Sequence, residues 1–302
     1  MLEESLFINL NAIKLFHLSY SFLGAIFTQL FEVFIMVKVD RGIFPFYVFS
    51  NLSAQENIIH FVSSGVKSIG FTENIPDEII RNKRQDLAKA VGFDYRRWVT
   101  AHQVHSAHVA VVKEADAGKG AMDKESRLPD TDALVTNQPD VCLMVLSADC
   151  VPVLLYDPEC QVIAAIHAGW KGTAAKIVAE AVRTMQQEFG CSSQNILAGI
   201  GPSIGKCCFE VGEDVAEIFR HLYPQSREFV TEGKAGGKAG GKYQVDLWAV
   251  NRQELIEAGL KPENIEIAGL CSMCHPDHFF SYRRDGKLAG RFGAGIVLRG
   301  AL

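Results

Sequence analysis

The sequence predicts an α/β fold with mixed sheets, formed as a single domain by residues 36–302. Short apolar runs typical of strands alternate with amphipathic segments of helical period, without a regular repeat. Three apolar runs between Val141 and Thr173 are continuous rather than alternating, which indicates strands buried on both faces. The chain has 302 residues, of which 48% are hydrophobic and 22% charged, a composition typical of globular proteins.

The part of the chain before Val141 reads as short strands around one clear helix. The helix is predicted over residues 76–91, because Pro76 suits a first turn, Asp77 and Glu78 suit its positive end, and Gly92 suits a C-cap. The other predictions are an opening strand in 36–48 with a turn at 40–42, a mixed segment at 51–70 with a loop at 63–65, strand–loop–strand at 98–112, a loop at 115–128 and a strand at 133–135.

The central strands are predicted at residues 141–146, 151–156 and 162–166. Polar side chains come directly after two of them, where Ser147 to Cys150 follows the first strand and His167 the third. Side chains at the ends of buried strands are well placed to line a cleft, so Cys150 and His167 are the first candidates for chemistry.

The last part of the chain alternates helices and strands. A helix is predicted over residues 173–189, because its apolar positions fall at helical spacing and Gly190 follows. The remaining predictions are strands at 196–200, 265–270 and 295–298, a helix at 211–222, a helix to 258 capped by Asp246, and a flexible Gly-Lys loop at 233–242.

Residues 1–35 form a hydrophobic extension of doubtful status. Its uncharged stretch at 15–31 is shorter than the roughly 20 residues that span a bilayer, and the chain begins with acidic residues where a signal peptide is basic. Three interpretations stay open, in this order: translation from an upstream start with Met36 as the natural start, an added amphipathic helix, and a membrane anchor. We therefore expect no membrane association.

The charge and the cysteines restrict the function classes. The net charge of −5 does not provide the basic surface that nucleic acid requires, so we expect no nucleic-acid partner. The 8 cysteines are unevenly spaced in a chain that is long enough to fold without disulfides. This usage indicates a reducing, cytoplasmic setting.

His105, Cys150 and His167 together are good zinc ligands, and three protein ligands with an open fourth position form the usual catalytic arrangement. Gln103 and Asp149 flank these residues and could orient an imidazole or a water. Each residue also has a structural interpretation, since buried Cys often acts as a small apolar side chain and His often makes a structural hydrogen bond. The helix start after His167 would suit an anion.

Three further motifs allow more than one interpretation. The Gly-rich segment 199–205, followed by Lys206, is either a tight turn or part of a pocket wall, and it lacks the ending of a phosphate-binding P-loop. Arg283 and Arg284 could clamp phosphate or form surface salt bridges. The segment 271–275 matches the haem-attachment pattern CxxCH, which we interpret as chance or a structural thiol pair, with a redox CxxC as the next option.

Five blocks of this chain resemble, in order, those of the YfiH-type laccase-domain family, also called the multicopper polyphenol oxidase or purine nucleoside phosphorylase family. The resemblance spans roughly residues 40–300, and its blocks are QVHS (103–106), DALVTNQPDVCLMVLSADCVPVLLYDP (132–158), IAAIHAGWKGT (163–173), GIGPSIGKCCFEVG (199–212) and FFSYRRDGKLAGR (279–291). The chain departs from the family at residues 49–65, where an Arg-x-Gly-Gly type loop is usual.

The resemblance implies a layered αββα sandwich and metal ligands at His105, Cys150 and His167. The implied metal is zinc, although copper has been claimed. The implied reactions are phosphorolysis of adenosine, inosine and S-methyl-5′-thioadenosine, and deamination of adenosine to inosine, so purine nucleosides and phosphate are the expected small-molecule partners.

Within that implied chemistry, Asp149 is the candidate acid/base, and the candidates for binding substrate or phosphate are Gln103, Lys206, Arg283 and Arg284. The oxidase name is not supported, since the chain has 9 His and no His-x-His pair of the kind that multicopper sites use. Two alternatives stay open: a metal-free hydrolase with Cys150 as nucleophile and His167 as base, and a non-catalytic scaffold.

Overall fold

Two six-stranded mixed sheets lie face to face, with helices on their outer faces, in a computed structural model that describes residues 36–40, 44–64, 67–72, 75–224, 227–233 and 242–300. The strands of this part of the chain are β1 (Val37–Val39), β2 (Phe46–Val48), β3 (Ile58–Ser63), β4 (Trp98–Val99), β5 (Val109–Val111), β6 (Ala133–Thr136), β7 (Cys142–Ser147), β8 (Val151–Asp157), β9 (Val162–Ala168), β10 (Leu197–Ile200), β11 (Glu210–Val211), β12 (Val230–Glu232), β13 (Tyr243–Val245), β14 (Ile265–Ile267) and β15 (Phe292–Leu298).

Seven α-helices lie in the described residues: α1 (Ser50–Ser53), α2 (Asp77–Val91), α3 (Trp170–Ala174), α4 (Ile177–Phe189), α5 (Glu213–Leu222), α6 (Leu247–Glu257) and α7 (Tyr282–Asp285). Short 3-10 helices occur at Tyr95–Arg97, Glu114–Asp116, Arg227–Phe229, Pro262–Asn264 and Gly286–Leu288. No helix of these residues is long and apolar enough to cross a membrane.

The strand order of the first sheet is β1-β2-β3-β15-β7-β4, and that of the second is β14-β10-β8-β9-β6-β5. Strands β11, β13 and β12 form a smaller antiparallel sheet. Consecutive central strands divide between the two large sheets, with β7 in the first and β8 and β9 in the second. The chain therefore crosses from one sheet to the other between Ser147 and Val151, the segment that contains Cys150.

Alternation of side chains along the strands builds the layers. In β9, Val162, Ala164 and Ile166 face the core under the helices, whereas Ile163 and Ala165 face the other sheet. His167 continues this second set at the end of the strand. Leu143 and Val145 of β7 meet them across the inter-sheet core. Since α2 covers the outer face of the first sheet and α4 and α6 that of the second, the αββα sandwich is confirmed.

Most predicted elements are present, and the main helix prediction is confirmed: α2 ends at Gly92, whose φ of 99° is the left-handed C-cap conformation. The helix predicted over residues 173–189 differs. It begins at Trp170 and is interrupted at Lys176, whose φ of 61° ends α3 before α4 begins. The helix predicted from residue 211 begins at Glu213, because Val211 pairs with β13.

Strand β3 was missed inside the mixed segment 51–70, although it lies between β2 and β15. Its polar residues obscure the apolar pattern, and each has a buried partner. The ring nitrogen Nε2 of His60 accepts a hydrogen bond from the Phe49 amide at 2.9 Å, and Ser63 Oγ accepts one from the Gly293 amide at 2.9 Å.

Two further element boundaries differ from the prediction. The predicted strand 265–270 ends at Ile267, and the last strand begins at Phe292 rather than at residue 295. The hydrophobic extension at 1–35, most of the predicted turn at 40–42 and most of the Gly-Lys loop, 234–241, lie outside the described residues.

Candidate metal centre

His105, Cys150 and His167 come together from three separate segments. His105 lies in the loop between β4 and β5, Cys150 in the turn between β7 and β8, and His167 near the end of β9. Their candidate ligand atoms all lie within 4.8 Å of one another. Nε2 of His105 is 3.6 Å from Sγ of Cys150, and the two imidazole rings are 4.9 Å apart at an angle of 72°.

The distance between His105 and Cys150 fits a shared tetrahedral metal ion. Zinc binds sulfur at about 2.3 Å and imidazole nitrogen at about 2.0–2.1 Å, so a tetrahedral site places N and S about 3.5 Å apart. The 3.6 Å between His105 and Cys150 agrees with that spacing. Two imidazoles and one thiolate would leave the fourth position to water or substrate.

The carboxylate of Asp132 holds two of the three candidate ligands in place. Its Oδ1 accepts hydrogen bonds from Nδ1 of His167 at 2.9 Å and from the amide of His105 at 3.0 Å. Its Oδ2 accepts hydrogen bonds from the amide and hydroxyl of Ser106 at 2.7 and 2.8 Å. A proton kept on Nδ1 of His167 makes Nε2 the ring nitrogen that a metal would bind in exchange for a proton, and holding that orientation is the usual role of a carboxylate behind a metal-binding His.

Neighbouring charges and hydrogen bonds shift the pKa values of Asp132, Cys150 and His167 toward their charged forms. Burial opposes ionisation of Asp132, but the hydrogen bonds from His167 and Ser106 hold its pKa well below the usual range. Burial also opposes ionisation of the Cys150 thiol, yet the neighbouring His167 and the hydrogen bonds from His105 and His167 lower its pKa to about 6. For His167, Cys150 and Asp132 outweigh burial and raise the pKa to about 9.

The backbone around the ligands is held in unusual conformations. His105 has a φ of 65° and Asp149 a φ of 93°, both in the left-handed region that non-glycine residues rarely adopt. Gly169 packs directly on the site: a Cβ there would lie 2.6 Å from Cδ2 of His105 and 3.1 Å from Sγ of Cys150. Glycine at position 169 is therefore required by the close approach of His105 and Cys150.

A cavity of about 440 Å³ opens onto this centre. His105, Cys150 and His167 all line it, as do Gln103, Asp149 and Arg283. The volume lies in the range of small-molecule sites, about 300–1,000 Å³. None of the residues of α3 lines the cavity, so the anion site expected at that helix start does not face it.

The family model for multi-copper polyphenol oxidoreductase laccase matches residues 67–299. This chain belongs to that family. A purine nucleoside phosphorylase of Bacteroides thetaiotaomicron is 34% identical over 261 residues, covering 83% of this chain and 95% of that protein. An adenosine deaminase from an unknown prokaryotic organism is 36% identical over 230 residues, covering 76% of this chain and 86% of that protein.

The crystal structure of YlmD from Geobacillus stearothermophilus superposes with a TM-score of 0.80 at 28% identity, covering 88% of this chain and 99% of that one. The sandwich described above is thus the laccase-domain fold. In this laccase-domain chain, each remaining candidate residue has a defined place.

Gln103 and Asp149 are both engaged by the protein itself. Nε2 of Gln103 donates to the carbonyl of Leu146 at 2.8 Å, and its Oε1 accepts from the Leu146 amide at 2.9 Å, so both amide atoms pair with the end of β7. Oδ1 of Asp149 accepts from Oγ of Ser272 at 2.6 Å, and Oδ2 accepts from the amide of Arg283 at 2.6 Å. Gln103 thereby positions the loop that carries His105. The two hydrogen bonds to Asp149 hold its side chain in one orientation at the wall of the cavity.

The three cationic candidates lie in different places relative to the cavity. Arg283 lines the cavity and donates from Nη1 to the carbonyls of Cys208 and Glu210. Arg284 lies outside it, where its guanidinium donates to its neighbour Asp285 and to backbone carbonyls that include Ser272 O. Lys206 also lies outside, with Nζ donating to the carbonyl of Glu228. Of the two adjacent arginines, Arg283 therefore lines the cavity and Arg284 pairs with its neighbour Asp285.

Sequence reasoning missed other residues of the site. The cavity is also lined by the cations Arg127 and Arg291 and by the aromatic rings of Phe71, Phe209 and Tyr282. Asp132 was also missed. The sequence did contain a hint of Asp132, because a carboxylate stands there directly before a buried strand. Arg127 lies in a charged loop, and no local sequence pattern predicts that this loop reaches the cavity.

Proposed function

We propose that this protein is a zinc-dependent purine nucleoside enzyme, which phosphorolyses adenosine, inosine and S-methyl-5′-thioadenosine and deaminates adenosine to inosine. The observation that carries the proposal is a His₂Cys centre at the wall of a cavity large enough for a nucleoside and lined by arginines. Relatives that match most of this chain are named purine nucleoside phosphorylase and adenosine deaminase. All 8 cysteines are free thiols, which supports a cytoplasmic location.

His105, Cys150 and His167 would hold the zinc, which when bound supplies Lewis-acid activation of a water or of a substrate atom. The same donors would also accept copper. Four-electron reduction of oxygen requires several coppers and many imidazoles, and this chain has no His-x-His pair. The donor set therefore favours hydrolytic and group-transfer chemistry over oxidation.

For phosphorolysis, the chain must bind phosphate and nucleoside side by side. Among the residues that the structure describes, Arg283, Arg127 and Arg291 line the cavity together with one carboxylate, Asp149. Guanidinium groups bind phosphate oxygens bidentately, so these arginines would orient phosphate for attack on C1′ of the ribose. The rings of Phe209 and Tyr282 offer apolar surface to the purine.

For deamination, the chain must move a proton to the departing ammonia. Asp149 is the proposed acid/base, because its carboxylate lines the cavity beside Cys150. The hydrogen bonds from Ser272 and from the Arg283 amide fix the orientation of this carboxylate. A carboxylate so placed can accept a proton from water and return it to the leaving group.

Product analysis tests the proposal. The purified chain and Cys150→Ala are incubated with adenosine, with and without phosphate. We expect adenine and ribose 1-phosphate only with phosphate, inosine without it, and neither product from the variant. No turnover by a zinc-loaded wild-type chain would refute the nucleoside assignment.

A metal-free hydrolase with Cys150 as nucleophile and His167 as base is the second candidate, favoured by the lowered pKa of Cys150, to which the neighbouring His167 contributes. His105→Ala distinguishes the two. The zinc enzyme would lose its metal and its activity. A hydrolase that uses His167 as base would retain most of its activity without metal.

A further inference from the structure

Four cysteines form a second cluster of thiols, from two segments of the chain that are far apart in sequence. Cys207 and Cys208 follow the Gly-rich turn after β10, and Cys271 and Cys274 lie in the turn after β14. Their sulfur atoms all lie within 4.8 Å of one another. Sγ of Cys274 is 3.7 Å from that of Cys207 and 3.4 Å from that of Cys208.

We propose that these four cysteines bind a structural zinc ion, separate from the ion at His105, Cys150 and His167. A tetrahedral zinc with sulfur ligands at about 2.3 Å places the sulfurs about 3.8 Å apart, close to the distances in this cluster. Four thiolates occupy every position of a tetrahedral ion, and such closed sites are structural. The CxxC pair also has the ligand spacing of zinc sites.

The surrounding backbone already favours thiolate at this position. The Gly205 amide donates a hydrogen bond to Sγ of Cys271 at 3.3 Å, which stabilises negative charge on that sulfur. Gly205 also packs against the cluster: a Cβ there would lie 3.3 Å from Cβ of Cys271 and 3.4 Å from Sγ of Cys207. Cys271 is buried, whereas Cys207 and Cys274 are exposed, so an ion can enter from solvent.

The two turns are already joined by backbone pairing, which makes the cluster a preformed site. Ser203 and Cys271 form a parallel bridge, and the Ser272 amide donates to the Ser203 carbonyl at 2.9 Å. The amides of Cys208 and Phe209 both donate to the Gly205 carbonyl at 2.9 Å, and this tight turn directs the adjacent cysteines to the same partner. Little chain entropy remains to be lost on binding.

The proposed zinc would stabilise one side of the cavity. Ser272, between the two CxxC cysteines, donates to Asp149, and the Cys208 carbonyl accepts from Arg283. Ile204 and Phe209, on either side of the Cys207–Cys208 pair, line the cavity. A metal cross-link between the turns would thus hold the partners of Asp149 and Arg283 at fixed positions. Zinc binding here involves no oxidation or reduction, because each coordinating thiol only releases its proton to solvent.

Zinc analysis of Cys150→Ala tests the proposal, because this variant removes a ligand of the first centre and leaves the four-cysteine cluster intact. We expect about one zinc per chain, with X-ray absorption showing four sulfur ligands at about 2.3 Å. Adding Cys271→Ser and Cys274→Ser should remove this zinc and lower the melting temperature. Cys142→Ala, which removes a buried thiol outside both clusters, should leave the zinc content unchanged.

Two results would overturn the proposal. One is a Cys150→Ala protein without zinc after purification under reducing conditions in the presence of zinc. The other is a mass deficit of intact protein that corresponds to disulfides among the four cysteines, which would make the cluster a redox device. Neither depends on nucleoside turnover, so failure of the nucleoside assignment would leave the test of this site intact.

Discussion

The Asp132 carboxylate lies 2.9 Å from Nδ1 of His167 and also accepts the backbone amide of His105, so one buried side chain orients two proposed metal ligands. The same carboxylate accepts the amide and hydroxyl of Ser106. It therefore couples the loop after β4 to the end of β9. Removing the negative charge should affect the metal more than it affects the fold.

We predict that Asp132→Asn lowers zinc affinity at the His₂Cys centre by about 10–100-fold, the usual effect of losing a partner that orients a metal-binding His. Asparagine retains one oxygen acceptor but loses the charge that holds the Nδ1 proton. Affinity is measured by competition with a chromogenic chelator in a Cys271→Ser/Cys274→Ser background. Asp130→Asn, which affects an exposed carboxylate beside His102, is the control and should change little. Equal affinities for the two variants would contradict the role of Asp132.

We predict that Gly169→Ala disrupts the same centre by steric contact. The φ of −66° at Gly169 is accessible to alanine, so the effect comes from the Cβ atom, which would meet Cδ2 of His105 at 2.6 Å. The imidazole must move, and zinc affinity should fall at least about tenfold. Zinc content and melting temperature are measured together.

Gly190→Ala is the matched control for that substitution. Gly190 ends α4 with a φ of 71°, and a Cβ added there would meet nothing within 4 Å. Alanine there is strained by backbone conformation alone, by about 1 kcal/mol. This variant should lose stability and keep its zinc, the opposite pattern to Gly169→Ala. A zinc-replete Gly169→Ala protein would refute the proposed packing constraint.

We predict that Arg283→Ala raises the KM for phosphate by about tenfold or more, because a charged hydrogen bond contributes about 1.5–3 kcal/mol. Deamination of adenosine consumes no phosphate and should change much less. The backbone amide of Arg283, which holds Asp149, survives the substitution. Lys206→Ala, whose side chain contacts Glu228 outside the cavity, is the control. A proportional loss of both reactions would contradict a phosphate-specific role for the Arg283 side chain.

The sequence alone predicted the parts of the fold that depend on local hydrophobicity. Strands β7, β8 and β9 are continuous apolar runs, and the polar residues that end them, Cys150 and His167, do converge in the structure. The layered arrangement came from the family resemblance, since a periodic pattern does not reveal which sheet a strand joins.

The parts that were missed depend on contacts between distant segments. Strand β3 contains His60 and Ser63, whose burial is possible only because Phe49 and Gly293 supply partners. Lys206 and Arg284 were candidates for phosphate binding because of their charge. Their side chains instead donate hydrogen bonds to the backbone carbonyls of Glu228 and Phe279, which orient them. The CxxC segment was interpreted as an isolated pair, because its second pair lies more than 60 residues earlier in the chain.

We predict that Glu254→Gln removes a pH-dependent loss of stability. Burial raises the pKa of Glu254 to about 8, above its ordinary value of 4.5. The folded chain therefore retains a proton that the unfolded chain has released, so stability falls as the pH rises from about 4.5 to about 8. Glutamine can still accept the Tyr223 hydroxyl, and it should raise the melting temperature at pH 8 by roughly a few degrees while changing little at pH 5. Glu263→Gln, which changes an exposed carboxylate in the 3-10 helix Pro262–Asn264, is the control and should leave the pH profile unchanged. If the melting temperatures of the wild type and of Glu254→Gln change with pH in the same way across this range, the buried carboxyl does not retain its proton.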